Sequence, residues 1–372
     1  IPDSLGNLTR LQRLDLSCSR FTGSIPSSLD NLINLKLLSL FGNSLTGPIP
    51  PSLGKLINLE ILVLSFNELS GSIPPSLGNL TNLKRLFLKN NKLTGSIPDS
   101  LGELNQLQVL DLEKNKLTGP IPKSFGNLTN LQTLNLSFNQ LSGSIPESFG
   151  NLINLPKLII IENKLTGPIP DSLGNLINLQ TLDLSFNQLS GSIPDSLGNL
   201  TNLKKLDLSN NRLSGFIPDS FGELKNLYEL DLAKNYLTGI HTNLLTLRAE
   251  IHLFNNKIQY ITHEKKIEFL YRENIEIGLG GDFNINIIIL FKNYLNEKLS
   301  VMPTEKVVFQ FSNVQSSPFS ELEGLYLFLK ENDIRLCRSS YYSDQLQPSY
   351  SPFITEFLDF VKKGEPLSYR PK

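Results

Sequence analysis

The chain has 372 residues, a mass of 41.6 kDa, a formal net charge of -1 and a pI near 6.4. That length suits two ordinary domains or one long repeat array, and the charge balance gives no bulk attraction to nucleic acid or to an anionic membrane. The most apolar stretch, Ile285 to Phe291, is short and broken by Asn286, so no membrane span is expected.

Residue 1 is Ile and no signal-peptide pattern precedes it, so a fragment or processed form that has lost an upstream targeting signal is expected. From there Ile-Pro pairs place proline at 2, 26, 50, 74, 98, 122, 146, 170, 194 and 218, a constant interval of 24 residues. Self-similarity at such a period means a stacked solenoid, because one unit cannot bury its apolar face alone. Inside each unit LxxLxLxxNxLxG recurs, as in Leu179, Leu182, Leu184, Asn187, Leu189 and Gly191. The LxL core reads as a short strand with Leu182 and Leu184 turned inward and Asp183 and Ser185 outward. Stacked strands would form one parallel sheet on the concave face. The Asn column from Asn43 to Asn235 is expected to satisfy buried backbone groups between coils. Gly and the Ile-Pro pair bend the chain to the convex side, where proline also removes a donor that could recruit a stray strand.

These motifs resemble the leucine-rich repeat family in its plant-type form, with the LSGxIPxxLGNL continuation, over residues 1–240 and more weakly to 261. The resemblance implies an α/β solenoid, a right-handed coil with a parallel sheet on its concave face. It also implies recognition of proteins or peptides, as in receptor ectodomains and polygalacturonase-inhibiting proteins. The ends depart from the pattern. Ser19 replaces the first ladder Asn, and the paired cysteines that usually cap plant-type receptors are missing. His241-Thr242 replaces the next Ile-Pro, and a shortened unit follows with Ile251, Leu253, Asn256 and Ile258, and with Arg248 in the place of its first leucine.

Residues 262–372 lose the period and shift toward Ile, Asn, Lys, Tyr and Phe. The division expected is therefore a repeat solenoid at 1–261 and a small α/β domain at 262–372 that also caps the last coil. Its pattern predicts helices at 264–274 and 283–299, a strand at 305–312, a helix at 319–331, a strand at 334–338 and a helix at 351–362. Strand, helix and strand at 305–338 suit a right-handed parallel crossover.

Reactive chemistry finds little support. Cys337 ends a predicted strand, but a phosphatase-like loop would need arginine where Ser343 stands, and a thiol protease would need a placed histidine. A buried structural cysteine is the better reading. Gly278–Asp282 (GLGGD) lacks the GK[ST] ending of a phosphate loop, and Asp282 would repel phosphate; a turn with Asp282 as helix cap suffices. His241, His252 and His263 have no carboxylate or cysteine cluster at metal-ligand spacing, and His252 takes a concave strand position. No enzyme activity, cofactor or metal is expected. Five N-x-[ST] sequons, at Asn7, Asn79, Asn127, Asn135 and Asn199, belong mostly to the repeat consensus itself and matter only in a secreted eukaryotic protein. Cys18 and Cys337 lie too far apart along the array to pair, and two free thiols favour a cytoplasmic site, with a secreted or cell-surface location as the alternative.

Information about function then lies in the variable outward positions. Leu37, Phe41, Ile61, Val63 and Phe87 cluster on adjacent coils with Arg85 and Lys89 at their rim, the arrangement expected of a partner site. Ile159 and Ile161 form a smaller second patch. Asp183, Asp207 and Asp231 line up beside Lys205 as a polar, mainly acidic strip. The leading expectation is an interaction scaffold that binds a protein or peptide on its concave face, with no nucleic acid partner and the oligomeric state open. The alternatives are a sensor whose repeats select a target for residues 262–372, and a secreted receptor ectodomain or adhesive surface protein.

Overall fold

A computed structural model describes residues 1–241, most of 243–262, and the segments Asn274–Gly280 and Lys306–Ser312. Each coil begins with a Pro-led 3-10 turn, continues through a three-residue concave strand, and returns along a second short strand. In one coil these are Asp171–Asn175, Thr181–Asp183 and Gln188–Ser192. The concave strands stack in sequence order into a parallel sheet whose partners lie 24 residues apart, Thr181 opposite Lys205 and Asp183 opposite Asp207. A repeat of constant length fixes this register without help from any turn type. The shortened unit breaks the interval, and Asp231 pairs with His252.

The return strands form a second parallel sheet of eleven strands that the LxL pattern does not announce. It arises because the L-x-G segment is extended in every coil, so its backbone groups find partners one coil away. Glycine recurs there because the chain turns through positive φ, +74° at Gly71, where a β-carbon is disfavoured. Gly78 answers a different constraint: a β-carbon on it would lie 2.4 Å from the Ser100 carbonyl of the next coil. Proline opens each 3-10 turn in an extended conformation, φ -65° and ψ 135° at Pro194. Five residues suit 3-10 geometry better than an α-helix, and the turn ends as Leu200 carries the chain back toward the interior.

Leucines of the strands and turns fill one continuous core along the array, with Phe125, Phe149 and Phe221 replacing Leu on the convex side, all fully buried. Truncating one such Leu to Ala costs about 2–5 kcal/mol. The Asn column behaves as its sequence position requires. Asn187 Nδ2 donates to the carbonyls of Ile160 at 2.7 Å, Leu184 at 3.1 Å and Ser185 at 3.2 Å, and its Oδ1 accepts from Leu165 N at 3.1 Å. Each Asn thus ties its coil to the preceding one. In the first coil, where Ser19 stands in the ladder slot, Ser19 N instead donates to Asn43 Oδ1 at 3.0 Å.

Beyond the last repeat, Asn274–Gly280 joins the concave sheet beside Glu250–His252, and Lys306–Ser312 follows beside it. The strand expected at 305–312 is therefore present. The turn expected at Gly278 is not, because Gly278, Leu279 and Gly280 end a strand, with Gly278 opposite His252. Alternation of Ile275, Ile277 and Leu279 is a strand signal that outweighs the glycines. The helix expected at 264–274 meets its last residue, Asn274, as the start of that strand. The remainder of that helix, the expected elements at 283–299, 319–331, 334–338 and 351–362, and His263, Asp282 and Cys337 lie outside the described residues.

Candidate functional site on the concave sheet

Register decides which variable residues meet. Leu37 lies opposite Ile61 and Ile61 opposite Arg85, while Ser39, Val63 and Phe87 form the adjacent row. Neighbouring parallel strands lie about 4.8 Å apart, so Leu37, Ile61, Val63 and Phe87 make one contiguous apolar surface. All four are half-buried by their neighbours, Phe41 is exposed at 36%, and Arg85 is exposed at the edge. Lys89 is not a free rim charge: its Nζ holds Glu113 Oε2 at 2.7 Å, and Asn135 Nδ2 donates to the same oxygen at 2.8 Å. Ile159 sits between Asn135 and Asp183, and both it and Ile161 are half-buried, so the second patch is small and flanked by polar groups.

Turning outward from the strand, as expected of Asp183 and Ser185, does not by itself expose a residue to water. Ser39, Ser65, Ser137, Asp183, Ser185 and Ser209 are buried, Asp183 to 7% exposure and Ser137 to 1%. On a closely stacked concave face, short side chains are covered by longer neighbours on the flanking strands. Burial changes the chemistry of the acidic strip. Asp183 is pushed up to about 6 by burial first and then by the Asp207 charge, against hydrogen bonds from Ser185 N at 3.1 Å and Ser185 Oγ at 2.7 Å. Burial also raises Asp231 and Asp111. For Lys205, burial pulls the ammonium down, but its bond to Glu229 at 2.5 Å, with the nearby Asp207 and Asp183 charges, outweighs this and raises it. The strip ends at His252, opposite Asp231 in register, with Nε2 3.0 Å from Glu250 Oε1.

Sequence reasoning missed a column at the exit edge of this sheet. The residue before each ladder Asn adopts the left-handed conformation, with φ +58° at Phe66, +56° at Phe138 and +55° at Phe186. Gly42, Asn90 and Asn210 hold the same place in other coils and accept that conformation more readily. Phe66 and Phe186 are exposed at 42% and 51%. Phe66 meets Phe41 edge-on with ring centroids 5.3 Å apart, and Lys114 Nζ lies 5.5 Å from the Phe138 ring. The signal was available in the repeated triplet SFN at 65–67, 137–139 and 185–187, where an aromatic replaces a turn-tolerant residue.

Other candidates supply no chemistry among the described residues: no group of three or more His, Cys, Asp and Glu is placed to hold a metal ion. No described helix is long and apolar enough to cross a membrane. Cys18 is exposed and unpaired.

Known proteins share this architecture. The leucine-rich repeat region family matches residues 62–189, and two further leucine-rich repeat families match 177–237 with 201–258, and 10–32 with 34–56. No curated protein sequence gave a significant match. The plant peptide hormone receptor RGFR1, solved in complex with RGF2, has a TM-score of 0.69 and 30% identity, covering 97% of this chain and 64% of that one. The Arabidopsis receptor kinase HAESA, solved with the peptide hormone IDA and the co-receptor SERK1, has a TM-score of 0.62 and 33% identity, covering 84% of this chain and 57% of that one. The chain thus spans less than two-thirds of the length of these receptor structures. A leucine-rich repeat protein of Leptospira interrogans has a TM-score of 0.56 and 31% identity over 69% of this chain and 70% of its own length. With ten repeated coils, an unbroken core and an Asn ladder, and with this identity over most of a known member, the chain belongs to the leucine-rich repeat family.

Proposed function

We propose that the chain is a recognition module that binds a protein or peptide on its concave sheet, in a secreted or cell-surface protein. The observation that carries this reading is the apolar row Leu37, Ile61, Val63 and Phe87, continued by the Phe41–Phe66 pair onto the exit edge. A soluble scaffold gains nothing from half-buried apolar groups on a face whose default residues are Asp and Ser, whereas a partner that covers them gains about 25 cal/mol per Å² of apolar area. Arg85 supports the rim, and Ile159 with Ile161 adds a second contact. Asp183, Lys205, Asp207 and Asp231 form the polar portion of the same face. The peptide-hormone complexes of RGFR1 and HAESA support this choice of partner class, and the likeness to receptor ectodomains supports the surface location over the cytoplasmic one that the free thiols favoured. In this reading residues 1–261 are the recognition unit and act without catalysis. Residues 262–372 form a second unit in this reading, of which Asn274–Gly280 and Lys306–Ser312 extend the concave sheet.

The test is the double substitution Val63→Asp and Phe87→Asp, followed by affinity capture of peptides and proteins from cell-surface extracts. Circular dichroism of the variant should match that of the unmodified chain, since neither side chain belongs to the core. Capture of the specific partner should fall at least tenfold. Equal recovery of the same partner would overturn the assignment of this face.

A further inference from the structure

The flank that joins the 3-10 turns to the concave strands carries one exposed position per coil, Asn105 in one coil, Lys225 in another, and Thr or Ile in the other eight. At 9, 81, 129 and 201 it is Thr, which completes N-L-T sequons at Asn7, Asn79, Asn127 and Asn199. At 33, 57, 153 and 177 it is Ile, so Asn31, Asn151 and Asn175 occupy the same place in their coils without the third residue of the motif. The four sequon asparagines share one environment. Each is the last residue of a 3-10 turn, Asp3–Asn7, Pro75–Asn79, Lys123–Asn127 or Asp195–Asn199. Each is exposed, as is its Thr, and hydrogen bonds among the described residues leave all four side-chain amides unused.

The fifth sequon is the opposite case. Asn135 lies in the concave strand Thr133–Asn135, donates through Nδ2 to Glu113 Oε2 at 2.8 Å, and accepts at Oδ1 from Ser137 N at 3.1 Å. Its third residue, Ser137, is 1% exposed and accepts through Oγ from Ile161 N at 3.0 Å. The motif is the same, but the amide and the hydroxyl are both engaged in the fold.

We propose that Asn7, Asn79, Asn127 and Asn199 are acceptors for N-linked oligosaccharide and that Asn135 is not, so that sugar is confined to this flank and the concave sheet stays bare. The proposal rests on the surface reading above. The donor is a lipid-linked oligosaccharide diphosphate. Asparagine Nδ2 forms a bond to the anomeric carbon, the bond from that carbon to phosphate oxygen breaks, and its electron pair leaves with the lipid diphosphate. The amide proton passes to a base on the transferase. Four sugars would then punctuate the flank, with the exposed pairs Ile33–Ile57 and Ile153–Ile177 left between them.

The chain directed into the secretory pathway of a eukaryotic host by a supplied leader provides the test, with peptide mass spectrometry of the folded, secreted product before and after enzymatic deglycosylation. Sugar is expected at four asparagines and not at Asn135. Thr81→Ile should remove one sugar, and Ile153→Thr should add one at Asn151, where the flanking geometry already exists. Sugar at Asn135 in the folded product, four bare sequons, or no gain from Ile153→Thr would each overturn the proposal. Fractionation of the native source separates the two ideas: a chain found only in the cytoplasm refutes the surface reading, while the leader-driven pattern alone judges the acceptors.

Discussion

Replacing Asp183 by Asn should stabilise this protein at neutral pH, although Asp183 accepts two good hydrogen bonds. Asp183 is 7% exposed, and burial with the Asp207 charge pushes its carboxyl up to about 6 from an ordinary 3.8. That gap corresponds to about 3 kcal/mol. A folded-state pKa above the unfolded one means that stability is full below about pH 4, is lost as pH rises through about 6, and is level above that. Asn135 occupies the same column and accepts from Ser137 N at 3.1 Å, as Asp183 accepts from Ser185 N at the same distance. An amide therefore fits this slot and keeps its acceptor. Part of the gain returns through Lys205, which loses one attractive charge, so Asp183→Asn should add about 1–3 kcal/mol at pH 7.5. Urea unfolding of both proteins at about pH 4 and pH 7.5 measures this, and the variant should lose less stability between the two. Equal pH dependence in the two proteins, or a less stable variant at pH 7.5, would refute the electrostatic account.

Two other perturbations separate scaffold from recognition. Asn139→Ala removes bonds to the buried carbonyls of Leu112 and Leu136 and leaves Leu117 N unpaired, so it should cost about 2–4 kcal/mol in urea unfolding, while Asn130→Ala on the exposed flank costs less than about 1 kcal/mol. Phe66→Gly relieves a left-handed phenylalanine but frees the unfolded chain, so stability should change by no more than about 0.5 kcal/mol. Binding titrations should nevertheless show weaker affinity, because the ring that meets Phe41 is gone.

Much of this architecture is legible in the sequence because a fixed period turns every local signal into a column. Leu182, Asn187 and Pro194 need no tertiary context: the interval of 24 residues places each beside its copy in the next coil, and the structure follows. The second sheet was not legible, since Gln188–Ser192 contains turn-like Ser and Gly and becomes a strand only because its neighbour is extended beside it. Burial of Asp183 and Ser185 was also hidden. Alternation gives the side of a sheet on which a residue stands, but not how far taller neighbours close over it. Phe66 escaped notice because propensity rules assign left-handed turns to Gly and Asn, and an exposed aromatic in that conformation runs against them. Its departure from local preference is the reason it deserves a functional explanation.

The middle of the concave face is already satisfied from within, and this decides where affinity can reside. Lys89, Glu113 and Asn135 form one hydrogen-bonded chain across three coils, and Glu113 takes both contacts on a single oxygen, Oε2. A ligand that sought these groups would first have to break bonds of 2.7 Å and 2.8 Å, so their net contribution to binding is small. The apolar row offers the reverse case. Phe87, next to Val63 on one side and Asp111 on the other, is half-buried with no internal partner strong enough to hold a ligand away, and aromatic anchors at the centre of an interface commonly account for about 2 kcal/mol or more. Phe87→Ala should therefore weaken partner binding by about thirtyfold, whereas Glu113→Gln should change it by less than about fivefold. The comparison is internal to one face and one partner, measured by titration calorimetry with the captured ligand. If Glu113→Gln proved the more damaging of the two, recognition would centre on the polar chain, and the apolar row would be a feature of stacking alone.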